Sequence, residues 1–148
     1  MDIDELVENF SFFDSWEDKY KYLIDLGNEL PHFSPEKQID TWKIDGCQSQ
    51  VWIIPHFNGN KLNFEGDSDA IIVRGIIAVV LMIFKDKSAQ DILDIDVEKI
   101  FANMGLEENI TPNRRSGMLS MVEKIKYYAA QAIKDNNEYS RVSSEKNL

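Results

Sequence analysis

The chain is poor in sulfur chemistry and poor in positive charge. It has one cysteine, Cys47, in 148 residues. A single thiol excludes an internal disulfide and any metal site built from several thiolates. A lone thiol is also uncommon in secreted chains, so the expected compartment is reducing and cytoplasmic. Lys and Arg number 16 against 26 Asp and Glu, a formal net charge of −10. That balance argues against a nucleic-acid binder, which needs clustered cations for phosphate. It argues equally against docking on an anionic membrane, and it suits a basic protein partner. The opening Met1-Asp2-Ile3-Asp4-Glu5 lacks the basic and apolar regions of a leader peptide. The most apolar stretch, Ile76 to Phe84, is too short to span a bilayer and reads as a core helix. No internal repeat is seen.

What is present fits one ordinary domain. At 43% hydrophobic and 148 residues, the chain buries enough surface to fold without a staple. Ile3, Leu6, Val7 and Phe10 recur at helical spacing and predict a short first helix. Ser15, with Asp18 three residues on, predicts the cap of a second, carrying Trp16, Tyr20, Leu23, Ile24 and Leu30 on one face up to Pro31. Three strands are then expected: Thr41 to Ile44, Val51 to Ile54 and Lys61 to Glu65. Asn58-Gly59 marks the hairpin between the last two. Asp67 or Ser68 is expected to cap a central helix over Ala70 to Phe84. Short helical turns from Ser88 and Asp96 follow, the second closed by Gly105. Thr111-Pro112 predicts the start of a long last helix with Met118, Val122, Ile125, Ala129 and Ile133 inward. The expected organisation is a single domain over residues 1–135 and a mobile tail over 136–148, where the apolar periodicity ends.

Cys47 is the residue with chemistry to offer. It lies between Gly46 and the polar Gln48-Ser49, in an expected turn where a loop can present it. A structural cysteine more commonly lies on an apolar face inside an element. Nucleophilic hydrolysis would need a base beside the thiol, and only His32 and His56 are available. A disulfide-forming redox switch would need a resolving cysteine. A persulfide carrier needs neither, because thiol exchange proceeds through the thiolate itself. Asp91, Asp94 and Asp96 lack the glycine and terminal glutamate of a calcium loop and read as solvated acids.

Ile44-Asp45-Gly46-Cys47-Gln48-Ser49-Gln50-Val51-Trp52 resembles the signature of the SufE family of cysteine desulfuration proteins. The resemblance extends to Trp16-Glu17-Asp18-Lys19-Tyr20 with Leu26-Gly27, to Gly66-Asp67-Ser68-Asp69-Ala70 with Val73, Gly75 and Ile77 to Val80, and to Thr111-Pro112 with Arg114. It covers roughly residues 8 to 134. It implies an α+β fold, a small three-stranded antiparallel sheet packed against several helices, similar to the IscU-type scaffolds. It implies a sulfur acceptor, not an independent enzyme, that relieves a pyridoxal-phosphate-dependent cysteine desulfurase of its persulfide on Cys47. The sulfur would then pass to an iron–sulfur cluster scaffold. No cofactor or metal of its own is expected. Asp69 and Arg114 fall on family motif positions near the acceptor loop: Asp69 as loop or helix-cap support, Arg114 as a stabiliser of the thiolate or persulfide anion. Whether Arg114 or the adjacent Arg115 faces the site stays open in the sequence. Cys47 is expected to rest partly sheltered in an apolar hollow and to swing out on docking, Gly46 supplying the backbone freedom. Two other readings are an iron–sulfur scaffold, which would need several ligands, and a cysteine hydrolase using His32 or His56.

Overall fold

Side-chain caps set the first two helices in a computed structural model that describes the backbone of residues 1–146 and side chains through 136. Helix α1 (Ile3–Ser11) begins where Asp2 accepts from the Glu5 amide at 2.8 Å, and α2 (Trp16–Asn28) where Ser15 accepts from Asp18 at 3.2 Å. Helix α2 packs on the central helix α3 (Ile71–Phe84). The crossing is backbone on backbone: a Cβ on Gly75 would run into the Leu23 carbonyl oxygen, and one on Gly27 would lie 2.6 Å from the Gly75 nitrogen. Only residues without a side chain let the two helices come this close.

The sheet has three antiparallel strands, β1 (Val51–Asn58), β2 (Lys61–Ser68) and β3 (Lys87–Ser88), in the order β1-β2-β3. The α+β class and the strand count agree with the sequence reading; the membership of the sheet does not. Thr41 to Ile44 is not a strand. Trp42 and Lys43 close turns back to Ile39 and Asp40, and a single bridge, Lys43 to Trp52, joins them to β1. The Trp and Ile content that suggests a strand serves packing instead. Trp42 lies against a separate small apolar cluster of Phe33, Trp52 and Ile54. The third strand is the two-residue β3, which pairs with Lys61 and Leu62 and is too short to show a period of its own. The β1–β2 turn is Gly59-Asn60, one residue later than expected, with Gly59 at φ +65°.

A second correction concerns the start of α3. Neither Asp67 nor Ser68 caps it. Strand pairing continues to Val51 opposite Ser68, the N-cap is Ala70, and no side chain caps the helix. Asp67 is drawn inward instead. Its Oδ1 lies 2.9 Å from Nε of Arg74, both side chains being almost fully buried, and its Oδ2 accepts from the Phe33 amide at 2.8 Å. Arg74 also donates to the Leu30 carbonyl and approaches His32 Nε2 at 3.2 Å. A buried arginine in the first turn of an apolar helix needs a carboxylate within reach, and Asp67 is the one that β2 delivers.

Helices α4 (Ala89–Asp94) and α5 (Val97–Asn103) begin at the expected caps, Ser88 and Asp96. Gly105, at φ +71°, closes the turn after α5. The last helix, α6 (Pro112–Lys146), starts with Thr111 accepting from the Arg114 amide at 3.4 Å. It packs against α4 and α3, and Lys126 donates to the carbonyls of Leu93 and Ile95 at 3.3 and 2.7 Å. The helix runs past the expected boundary at 135; the rest of the expectation for residues 136–148 lies outside the described residues. Among the described residues, no helix is long and apolar enough to cross a membrane.

Candidate functional site

Cys47 sits in a short loop tied at its neck. The Ile44 amide donates to Val51 O at 2.9 Å, and Ile53 N donates to Trp42 O at 3.0 Å. Asp69 closes the other side: its Oδ1 accepts from Gln50 N at 3.0 Å, while its own amide donates to Gln50 O at 3.3 Å. Between these ties, Gly46 has φ +87°, and a Cβ there would meet the Ser120 hydroxyl at 2.7 Å. Both the turn and the space therefore call for glycine.

The loop lays the half-buried Cys47 against α6, where its Sγ–H donates to the carbonyl of Gly117 at 3.6 Å. The packing is close: a Cβ on Gly117 would lie in contact with the sulfur, at 3.4 Å. Beside the thiol is a hollow of about 130 Å³. Gln48 and Ser49 of the loop, Val51 of β1, Ala70, Ile72, Val73 and Ile76 of α3, and Asn113, Arg114, Gly117 and Met121 of α6 line it. Burial pushes the Cys47 thiol above its ordinary pKa, and the Asp45 carboxylate pushes in the same direction. At neutral pH the resting side chain is a thiol, not a thiolate.

The three residues singled out in the sequence meet here in different ways. Arg114 lines the hollow that holds Cys47. Asp69 does not line it; it fixes the neck of the loop through Gln50. Arg115 points elsewhere, to Glu107 at 3.1 Å and Glu98 at 3.7 Å, so of the two arginines it is Arg114 that lines the hollow. Neither histidine lines the hollow. His32 is engaged with Arg74, and His56 on β1 lies 2.5 Å from Glu65 Oε2. Glu65 also takes Lys37 at 2.9 Å, and these two contacts hold its carboxyl below the usual range. Among the described residues, no three or more His, Cys, Asp or Glu side chains gather where a metal ion would be held.

Sequence reasoning missed Asn113, Gly117 and Met121. Their spacing held the signal: residues three and four apart share a helix face, so Arg114 brings Gly117 and Gly117 brings Met121 to the same side. It also missed Asp45, whose closeness in sequence to Cys47 is enough to give it electrostatic weight.

The family model described as SufE, Fe-S metabolism associated domain, matches residues 4–129. An uncharacterized SufE-like protein of Rhizobium etli is 44% identical over 128 residues, covering 84% of this chain and 86% of its own. A second, from Rhizobium meliloti, is 43% identical over 128 residues, covering 84% and 91%. The solution structure of a hypothetical protein from Thermus thermophilus is similar in fold, with a TM-score of 0.72, 17% identity, and coverage of 89% of this chain and 96% of that one.

Proposed function

The chain belongs to the SufE family, and on that premise we propose that it is a covalent sulfur acceptor. It takes sulfane sulfur onto Cys47 from a pyridoxal-phosphate-dependent cysteine desulfurase and passes it to an iron–sulfur cluster scaffold in the cytoplasm. The single observation that carries this reading is a lone thiol on a tied loop, half-buried beside a hollow that it shares with Arg114.

The chemistry asks little of this chain. The Cys47 sulfur attacks the outer sulfur of the donor's Cys–S–SH. A new S–S bond forms on Cys47, the donor's S–S bond breaks, and its electron pair leaves with the donor thiolate. The proton given up by Cys47 is taken by that thiolate, so no external oxidant or reductant is required. In delivery, an acceptor thiol attacks the outer sulfur and Cys47 leaves as the thiolate. Arg114 gives the persulfide anion a cationic neighbour inside the hollow, where a charge is worth more than in open water. The apolar wall formed by Val51, Ile72 and Ile76 limits access by soluble thiols that would discharge the sulfur. Gly46 and the short span between the ties let the loop leave the Gly117 carbonyl when the donor docks.

The test is intact-mass spectrometry after incubation with a cysteine desulfurase and cysteine. One added sulfur, about +32 Da, is expected and should map to Cys47. Cys47→Ser should abolish both the adduct and the stimulation of the desulfurase. Equal stimulation by wild-type and Cys47→Ser protein under limiting reductant would overturn the reading.

A further inference from the structure

The hollow beside Cys47 has a lip that the acceptor chemistry does not use. Helix α3 begins Ala70-Ile71-Ile72 with no polar cap. Ala70 and Ile72 line the hollow, but Ile71 between them points outward and is 62% exposed. Singly exposed apolar residues are ordinary on protein surfaces. Ile71 differs in place: it is a branched aliphatic chain on the first turn of a helix, where polar residues are favoured, and its two sequence neighbours form the wall of the reactive hollow. Leu119, 39% exposed on α6, has no such position, since neither of its sequence neighbours, Met118 and Ser120, lines the hollow. On the loop side the exposed carboxylate of Asp45 stands two residues from the thiol. The chain as a whole carries −10.

We propose that Ile71 and Asp45 form a two-part docking patch for the sulfur donor, Ile71 as its apolar anchor and Asp45 as its charged guide. This rests on the sulfur-acceptor reading above. The occupant is then a protein that carries its sulfane sulfur beside an apolar socket bordered by basic side chains. An apolar anchor at the centre of a contact governs how long the complex lasts, and a charge at its rim governs how fast it forms.

The test is desulfurase stimulation measured against the concentration of this chain, with persulfide on Cys47 followed in parallel. Ile71→Ser should raise the half-stimulating concentration at least fivefold while the stimulation reached at saturation is retained. Asp45→Asn should weaken the dependence of association rate on salt. Leu119→Ser, an exposed apolar change on another face, should leave the half-stimulating concentration where it is. Matching thermal melts would show that the Ile71 variant is folded, which its exposure favours. If Ile71→Ser and wild type reach half-stimulation at the same concentration, or if Leu119→Ser shifts it as much, the patch is wrong and the acceptor role stands. If Cys47→Ser stimulates as well as wild type, the acceptor role itself fails, and the patch with it.

Discussion

At Cys47, burial and a neighbouring charge act in the same direction. The partly desolvated sulfur favours its neutral form, and Asp45 opposes a second negative charge close by. Reaction with a small alkylating agent should therefore follow a pH profile whose midpoint lies above that of an exposed cysteine. Asp45→Asn should bring the midpoint part of the way back, because burial is the larger cause. The sign for stability follows from linkage. The fold prefers the protonated thiol, so its contribution is complete below the unfolded pKa and disappears as pH rises through the folded one. Stopped-flow alkylation from neutral to alkaline pH, on folded and urea-unfolded protein, checks this. A folded midpoint at or below the unfolded one would refute it. The loop placement of this residue was legible in the sequence, because Gly46 and Gln48-Ser49 mark a turn. Its resting partner was not, because Gly117 lies 70 residues away and meets it only through the packing of α6.

The helices were the most legible elements. Ser15, Ser88, Asp96 and Thr111 lie at the starts that their side-chain oxygens imply. The third strand was not legible, since two residues cannot show alternation and the Trp42 segment imitates it. The start of α3 misled for a different reason. Asp67 is chemically fit to cap a helix, but burial beside Arg74 overrides that local preference. This pair yields a prediction for the element. Asp67→Ala would leave Arg74, which is 6% exposed, with a charge and no carboxylate in the interior. Losing one partner of such a pair costs about 3–5 kcal/mol. For a domain of this size that corresponds to roughly 10–20 °C in Tm. Calorimetry on the variant measures it, and a loss below about 1 kcal/mol would mean that solvent screens the pair. The same change frees the Phe33 amide that Asp67 holds, so the outer cluster of Phe33, Trp52 and Ile54 should loosen too, visible in tryptophan emission.

Across the whole molecule, the charge of −10 has two opposed consequences in salt. Inside the fold, like charges repel, and screening relieves them. Raising ionic strength from about 0.01 M to 0.15 M shortens the Debye length from about 30 Å to about 8 Å, so Tm should rise. Between molecules, the same screening removes attraction for a basic partner, so the association rate should fall over the same range. Differential scanning fluorimetry and stopped-flow mixing in matched buffers read the two slopes. Slopes of the same sign would mean that one of the two fields is not set by net charge.

The ties around the acceptor loop also fix a distance. Ile44 is held to Val51, and Gln50 to Asp69. Cys47 is therefore three residues from the anchored position on either side. A fully extended residue spans about 3.5 Å, so with both anchors intact the Cys47 backbone reaches no more than about 10 Å from either anchor, and the sulfur only one short side chain further. Such a tether is too short to thread deep into a distant active site. On the proposed function, a sulfur donor would have to bring its sulfur within that reach, in the gap between two surfaces already in contact.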